Sequence, residues 1–353
     1  MVGADGEMPL PWLAAWLEQA LRTQRGHAVL IHGPQGIGQW QLSLTLAQAW
    51  LCESSSQGRR PCGRCASCRM VQARSHPDLL VLLPEALQGP LGWTVAEGEG
   101  DAPDAGSKSK QPSKEIKVEA VRGAVAFAQT TPARHAGKVV VLHPAERMNG
   151  IAANALLKTL EEPAGTARFI LSSAAPQALL PTIRSRCQAL ALSLPDAAQA
   201  VAWLAGQGVA SADVVLAAAG GQPLDALDWV GEGLDARLWA QLPALVQRGD
   251  ASPLAGWAIA RAVDALQKLC HDALCTSVGA EPRFFPKGVM PVRPGTAALL
   301  AWSRDLNRAA RQAEHPLNAG LMIEALVSRA RQALTAEQGG EPGSRAVSVH
   351  SAA

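Results

Sequence analysis

A short apolar run that ends in a glycine-rich turn and then a helix restricts this chain more than any other feature. Ala28-Val29-Leu30-Ile31-His32 runs directly into Gly33-Pro34-Gln35-Gly36-Ile37-Gly38, and a helical pattern follows over Trp40–Leu51. Strand, tight glycine turn and helix in that order open a parallel α/β sheet, and the backbone N–H groups at the helix start converge on the turn. Four further apolar runs follow at Asp78–Leu83, Lys138–Leu142, Arg168–Leu171 and Gln188–Leu192, separated by helical patterns such as Ala152–Glu162. Apolar runs alternating with helices predict an α/β fold built on a parallel sheet.

Gly33 and Gly38 have the spacing of a phosphate loop, Gly-x4-Gly-Lys-Ser/Thr, with Gly36 between them. In such a loop the lysine reaches the terminal phosphates and the hydroxyl ligates Mg²⁺. Here the next two residues are Gln39 and Trp40. A neutral amide cannot replace an ammonium against a tetra-anion, and an indole brings no oxygen to a metal. The third apolar run, where acidic residues would complete an ATP site, ends in His143-Pro144. An ordinary strand-to-helix turn would explain the glycines alone. With both halves of the site altered, neither ATP hydrolysis nor tight binding of Mg-ATP is expected. His143 reads as hydrogen-bonded structure rather than as a base.

Cys52, Cys62, Cys65 and Cys68 are spaced C-x9-C-x2-C-x2-C, with Pro61, Gly63 and Arg64 favouring tight turns between them. Four thiolates at such spacing suit tetrahedral Zn²⁺, and a closed four-ligand shell is structural. An iron–sulfur cluster is the rival, although the x3-C-P completion of ferredoxin-like runs is missing after Cys68. Unliganded thiols are the third reading. Cys187, Cys270 and Cys275 have apolar neighbours and are expected to be small core residues.

At 353 residues the chain is long enough for two or three domains. The strand-bearing part is expected to span 1–194, with the cysteine module inserted at about 52–68. A second insertion at about 86–114 is rich in Gly, Pro and Ser, acidic then basic, and reads as a flexible surface loop. From Pro195 strands disappear. A small three-helix lid is expected over 195–235, a helical domain over 236–334 with longer helices around Trp257–Leu274, Gly295–Glu314 and Leu317–Leu334, and a disordered tail over 335–353.

Net charge is +2, so no strong overall field favours nucleic acid or membrane. The clusters Arg59-Arg60-Arg64-Arg69 and Arg304-Arg308-Arg311 read as solvated or partner-facing charge. No apolar run reaches about 18 residues, and Asp5 and Glu7 spoil a signal-peptide pattern. With cysteines grouped as a metal site rather than a disulfide framework, a soluble cytoplasmic protein is expected.

Ala153–Pro163 is helical and stopped by proline, and after Phe169-Ile170-Leu171 comes Leu180-Pro181-Thr182-Ile183-Arg184-Ser185-Arg186-Cys187. The order of glycine loop, cysteine module, His76-Pro77-Asp78-Leu79, Ala153–Pro163 and Ser185-Arg186-Cys187 resembles the bacterial DNA polymerase III clamp-loader AAA+ subunits. The degenerate loop makes it most similar to the delta prime type. The likeness covers about residues 10–195 and continues weakly to about residue 334, including His315-Pro316-Leu317-Asn318-Ala319.

The resemblance implies an AAA+ module, a helical lid and a C-terminal collar. It implies a hetero-pentameric ring with the ATPase and delta subunits, which opens a sliding clamp and places it on primed DNA, any DNA contact belonging to the assembly. Arg186 occupies the position of an arginine finger acting on the neighbour's ATP, with Arg184 two residues away as its decoy. A permanently charged, planar guanidinium suits the charge on a transferring phosphoryl group. Active relatives carry a lid arginine after a Gly-Gly turn. Here Gly220-Gly221 leads into Gln222-Pro223-Leu224. Ser172 or Ser173 stands where a polar sensor is expected. Two alternatives remain beside a non-catalytic subunit with a finger: a zinc-bearing scaffold without one, and an ATP-hydrolysing motor subunit lacking its usual residues.

Overall fold

The structure, a computed structural model, describes residues 1–54, 60–93, 112–134, 136–163, 165–290, 295–312 and 318–336. Most of the second insertion, the tail beyond 336, Arg59 and His315-Pro316-Leu317 lie outside the described residues. The chain divides into two compact units, Met1–Ala200 and Val201–Ala353.

The first unit is a five-stranded sheet of β1 (Ala28–His32), β2 (Leu79–Leu82), β3 (Val139–Leu142), β4 (Arg168–Ser173) and β5 (Gln188–Ala191), in the order β2-β3-β4-β1-β5. Every pairing is parallel. The interior strand β3, Val-Val-Val-Leu, is buried throughout, and that two-sided burial is why these strands read as unbroken apolar runs. Strand β4 extends two residues past the expected Leu171, because Ser172 and Ser173 pair with Ile31 and His32 of β1. Parallel strands all end on one edge, which brings the ends of β1, β3 and β4 together beside the glycine loop.

Helices α1 (Leu13–Thr23), α2 (Gln39–Leu51), α3 (Ala66–Gln72), α4 (Glu85–Gln88), α5 (Val118–Gln129), α6 (Gly150–Glu161) and α7 (Pro181–Arg184) accompany the sheet. Helix α2 is buried on almost every side, and its Ser43 and Thr45 hydroxyls donate to the carbonyls of Gln39 and Gln41, four residues back, at 2.7 Å. Helix α6 starts at Asn149, whose side chain accepts from the Ala152 N–H at 2.9 Å. The start of the expected flexible insertion is ordered. It forms α4 and leads to a buried Trp93, since one indole can anchor a segment that has no apolar period.

Helix α8 (Ala197–Gly206) spans the division between the units. The second unit continues with α9 (Ala212–Ala218), α10 (Pro223–Gly231), α11 (Ala236–Arg248), α12 (Ile259–Ser277), α13 (Thr296–Gln312) and α14 (Ala319–Thr335). The expected border at 235/236 falls on Asp235, the N-cap of α11, which accepts from the Leu238 N–H at 2.6 Å. One apolar core runs through that point, from Trp229 and Leu234 to Trp239, Leu266, Trp302 and Leu326. Trp239 stacks on Phe285 at 4.3 Å between ring centroids. Asp272, fully buried, accepts the N–H groups of Arg283, Phe284 and Phe285 at 2.7–2.9 Å and so fixes the turn beneath that pair.

Burial pushes the Cys187 and Cys270 thiols up to about 12, as suits inert core residues. Cys275 departs from that expectation. It is half-buried on the last turns of α12, its sulfur 3.8 Å from Nδ1 of His271 one turn earlier.

Candidate functional site

Gly36 and Gly38 take the left-handed backbone that closes the loop after β1, with φ of 71° and 105°. At Gly33 a Cβ would lie 2.6 Å from the Leu192 carbonyl oxygen, so only glycine fits beside the end of β5. The Trp12 indole N–H donates to the Ile37 carbonyl at 2.8 Å and pins the loop from outside. The phosphate-loop backbone is therefore retained.

Its chemistry is turned inward. The Gln39 side-chain amide donates to the Gly33 carbonyl at 2.8 Å and to the Pro34 carbonyl, so the group at the lysine position is spent on the loop itself. Trp40 is buried, its ring 5.1 Å from that of His143 and 6.0 Å, edge-on, from that of Trp93. Each such aromatic contact contributes about 1 kcal/mol beyond the area it buries. The Arg74 guanidinium lies 5.5 Å over Trp93 on its other side.

His143 stands at the end of β3, its Nδ1 2.8 Å from the Ser172 hydroxyl on β4. Burial lowers its pKa to about 4, so the ring is neutral near pH 7 and offers no negative charge to a cation. The two serines at the sensor position are both engaged, Ser172 with His143 and Ser173 as acceptor of the Ala175 N–H at 3.1 Å. Pro144, next to His143, carries no side-chain ligand. The Gly220-Gly221 turn leads through Gln222 into α10 with Pro223 first, and the opening turn of that helix brings Asp225 rather than a cation.

The four cysteines converge. Their sulfurs all lie within 4.8 Å of one another, with Cys52 to Cys65 at 4.0 Å and Cys62 to Cys68 at 3.9 Å. A tetrahedron of Zn–S bonds of about 2.3 Å has edges of about 3.8 Å, so the set fits a tetrahedral metal. The N–H groups of Cys65 and Cys68 donate to the sulfurs of Cys62 and Cys65, each at 3.4 Å, which orients the knuckle. Gly63 has φ of 69°, and the Gly3 carbonyl oxygen occupies the place a Cβ would take. Burial raises the Cys52 and Cys68 thiols, so without a cation these two hold their protons. The cluster can hold a structural zinc.

A polar belt ties that module to the sheet. The Asp78 N–H donates to His76 Nδ1 at 3.0 Å, which leaves Nε2 as the donor to the Ser67 hydroxyl at 2.5 Å, inside the cysteine module. Burial lowers the His76 pKa and keeps the ring neutral. Asp78, fully buried, accepts the N–H groups of Ala133 and Arg134 at 2.8 Å and faces the Lys138 ammonium at 3.4 Å. Arg134 in turn pairs with Glu53, next to Cys52, at 2.5 Å.

Arg186 lies in the turn from α7 to β5, between Ser185 and the buried Cys187. Its Nε donates to Glu161 at the end of α6 at 2.7 Å, its Nη2 to the same oxygen, and its Nη1 to the Thr182 carbonyl at 2.9 Å. Arg184 is exposed. Neither Trp93 nor Glu161 was singled out by sequence reasoning. For Glu161 a signal existed, since a carboxylate at a helix C-terminus opposes the macrodipole and needs a cation.

Strand order, glycine loop and loop-to-helix turn define an AAA+-type module whose phosphate loop is bonded by its own Gln39 side chain. A family model described as DNA polymerase III, delta subunit, matches residues 12–196, and the chain belongs to that family. It is 38% identical over 229 residues to the DNA polymerase III subunit delta prime of Pseudomonas aeruginosa, covering 64% of this chain and 62% of that one. It is 34% identical over 212 residues to the Escherichia coli subunit of the same name, covering 59% and 56%. A DNA polymerase III subunit tau from Salmonella typhimurium matches 173 residues at 31% identity, covering 49% and 22%. The chain thus spans about 60% of the length of the first of these relatives. A solved DNA polymerase III gamma subunit-related protein of Thermotoga maritima aligns over 90% of this chain and 98% of its own at 17% identity and a TM-score of 0.45, too loosely to carry weight.

Proposed function

We propose that the chain is a non-catalytic subunit of a DNA polymerase III clamp loader, helping to place the sliding clamp on primed DNA and donating Arg186 to a neighbouring ATPase subunit. The observation that carries this reading is the altered phosphate loop: Gln39 bonded to its own loop, Trp40 packed against a neutral His143. A chain that keeps the loop backbone yet fills its cavity serves the ring by shape and by what it presents to others. Its partners are the ATPase and delta subunits of a hetero-pentameric ring in the cytoplasm. In this reading residues 195–235 act as the lid and 236–334 as the collar, and the four cysteines hold structural Zn²⁺. A finger supplied in trans accelerates hydrolysis by about 10³–10⁵ in other phosphoryl-transfer systems.

One observation favours a second reading, a zinc-bearing scaffold without a finger: Arg186 already has an acidic partner in its own chain. The ATPase of the reconstituted loader with clamp and primed DNA separates the two. Arg186→Ala is expected to lower that rate at least about tenfold with the ring intact, a change of about 1.4 kcal/mol in the barrier. An unchanged rate would leave the scaffold reading.

A further inference from the structure

The pairing of Arg186 with Glu161 has a consequence for how a guanidinium could serve a neighbour. Arginine has five N–H donors in a rigid plane. Three are engaged within the chain, Nε and Nη2 on Glu161 and Nη1 on the Thr182 carbonyl, while Nη1 also approaches the Ser185 hydroxyl at 3.5 Å. The side chain is 30% exposed and Glu161 46% exposed, so the pair sits at the surface with one side of the guanidinium fixed. One N–H of Nη2 is left over for an external acceptor, and the second N–H of Nη1 is held only by its 3.5 Å approach to Ser185.

Glu161 is poorly placed for the stability of its own helix. It is the last residue of α6, where the negative end of the macrodipole repels a carboxylate. Its partner Arg186 belongs to the turn that follows α7, which is short and is set by Pro181 in the first turn of that helix and by the buried Cys187 next to Arg186. That turn fixes the Cα of Arg186. It does not fix a long side chain with several rotatable bonds, and ordering such a chain costs conformational entropy.

We propose that Glu161 is a positioning residue for Arg186, holding the Nε edge of the guanidinium with Thr182 so that the remaining N–H groups meet the phosphate of a neighbouring subunit already oriented. This rests on the reading of Arg186 as a finger in trans. Glu161 touches neither substrate nor metal and acts only through the arginine. An ion pair this exposed is weak enough to yield a little when a polyanion arrives, and it is the two-point geometry rather than the charge that matters.

The test is a double-mutant cycle on the reconstituted loader with clamp and primed DNA, using wild type, Glu161→Ala, Glu161→Gln, Arg186→Ala and Glu161→Ala/Arg186→Ala. Glu161→Ala is expected to lower kcat about fivefold, equivalent to about 1 kcal/mol, with KM for ATP unchanged. Glu161→Gln, which keeps one acceptor oxygen, is expected to recover part of that loss. In the Arg186→Ala background the Glu161 substitution is expected to have no further effect. A rate raised by Glu161→Ala would overturn the proposal and make the pair a latch. An unchanged rate, or an equal loss with and without Arg186, would also overturn it. An Arg186→Ala protein as active as wild type would instead refute the finger itself. Unchanged thermal melting and zinc content across the set keep misfolding out of the comparison.

Discussion

A carboxylate at the end of β3 could hold a cation; at that place His143 is buried beside Trp40 and bonded to Ser172, with its pKa lowered from 6.5 to about 4. In the unfolded chain the ring takes up a proton near pH 6.5, while in the folded chain it does so only near pH 4. Between those values the unfolded state binds more protons, so the contribution of His143 to stability is full above pH 6.5 and falls as the pH drops to 4. Over the window the loss is about 3 kcal/mol. Asp225 works in the opposite sense across part of the same range, because burial raises its pKa to about 6. Comparison with a non-titrating variant cancels that term. Urea unfolding at pH 4.5 and 7.5 is expected to show that acidification lowers the stability of wild type relative to that of His143→Gln. Equal differences in the two proteins would mean that the ring is solvated and that the plug against Trp40 is not closed.

At the level of elements, the cysteine module shows both what local spacing reveals and what it hides. C-x9-C-x2-C-x2-C is local, so the convergence of Cys52, Cys62, Cys65 and Cys68 was legible in the sequence. The five strands were legible too, because strands of a parallel sheet are buried on both faces and read as apolar runs. Contacts made across the fold left no such mark. Trp93 sits in a segment without periodicity, and its burial depends on a contact with Trp40, more than fifty residues earlier on α2. The surface position of Cys275 turned on which face of α12 met its neighbours, and an apolar run of neighbours misplaced it. Because burial keeps the Cys52 and Cys68 thiols protonated, metal must displace protons to bind, and affinity is expected to fall as pH is lowered. Zinc content of the purified protein should be one per chain and vanish in Cys68→Ser. Competition with a chromophoric chelator at pH 6 and 8 should show the weaker binding at pH 6. A metal-free wild type, or affinity independent of pH, would be inconsistent with four thiolate ligands.

For the whole molecule, the sheet unit keeps the loop backbone of a nucleotide-binding module, and the proposed loss of its ATP chemistry rests on Gln39, Trp40 and His143, each at a different part of the usual site. Gln39 stands where the ammonium would be, Trp40 where the hydroxyl would be, and His143 where the acid that holds Mg²⁺ would be. These losses are separable. Gln39→Lys with Trp40→Thr returns the ammonium and hydroxyl and opens space over the loop, while leaving a neutral ring where the acid is needed. The wild-type chain is expected to bind no fluorescent ATP analogue and to hydrolyse no ATP. The double variant is expected to regain binding that depends little on Mg²⁺ and still to hydrolyse nothing. Binding by wild type would show that Trp40 moves aside for a ligand. Hydrolysis by the double variant would mean that another acid can reach the metal position, the nearest in sequence being Glu146, whose Oε1 now accepts the Ala174 N–H at 3.1 Å. Replacing Glu146 by Gln in that background would then abolish the activity, and without hydrolysis in the double variant the same substitution has nothing to remove.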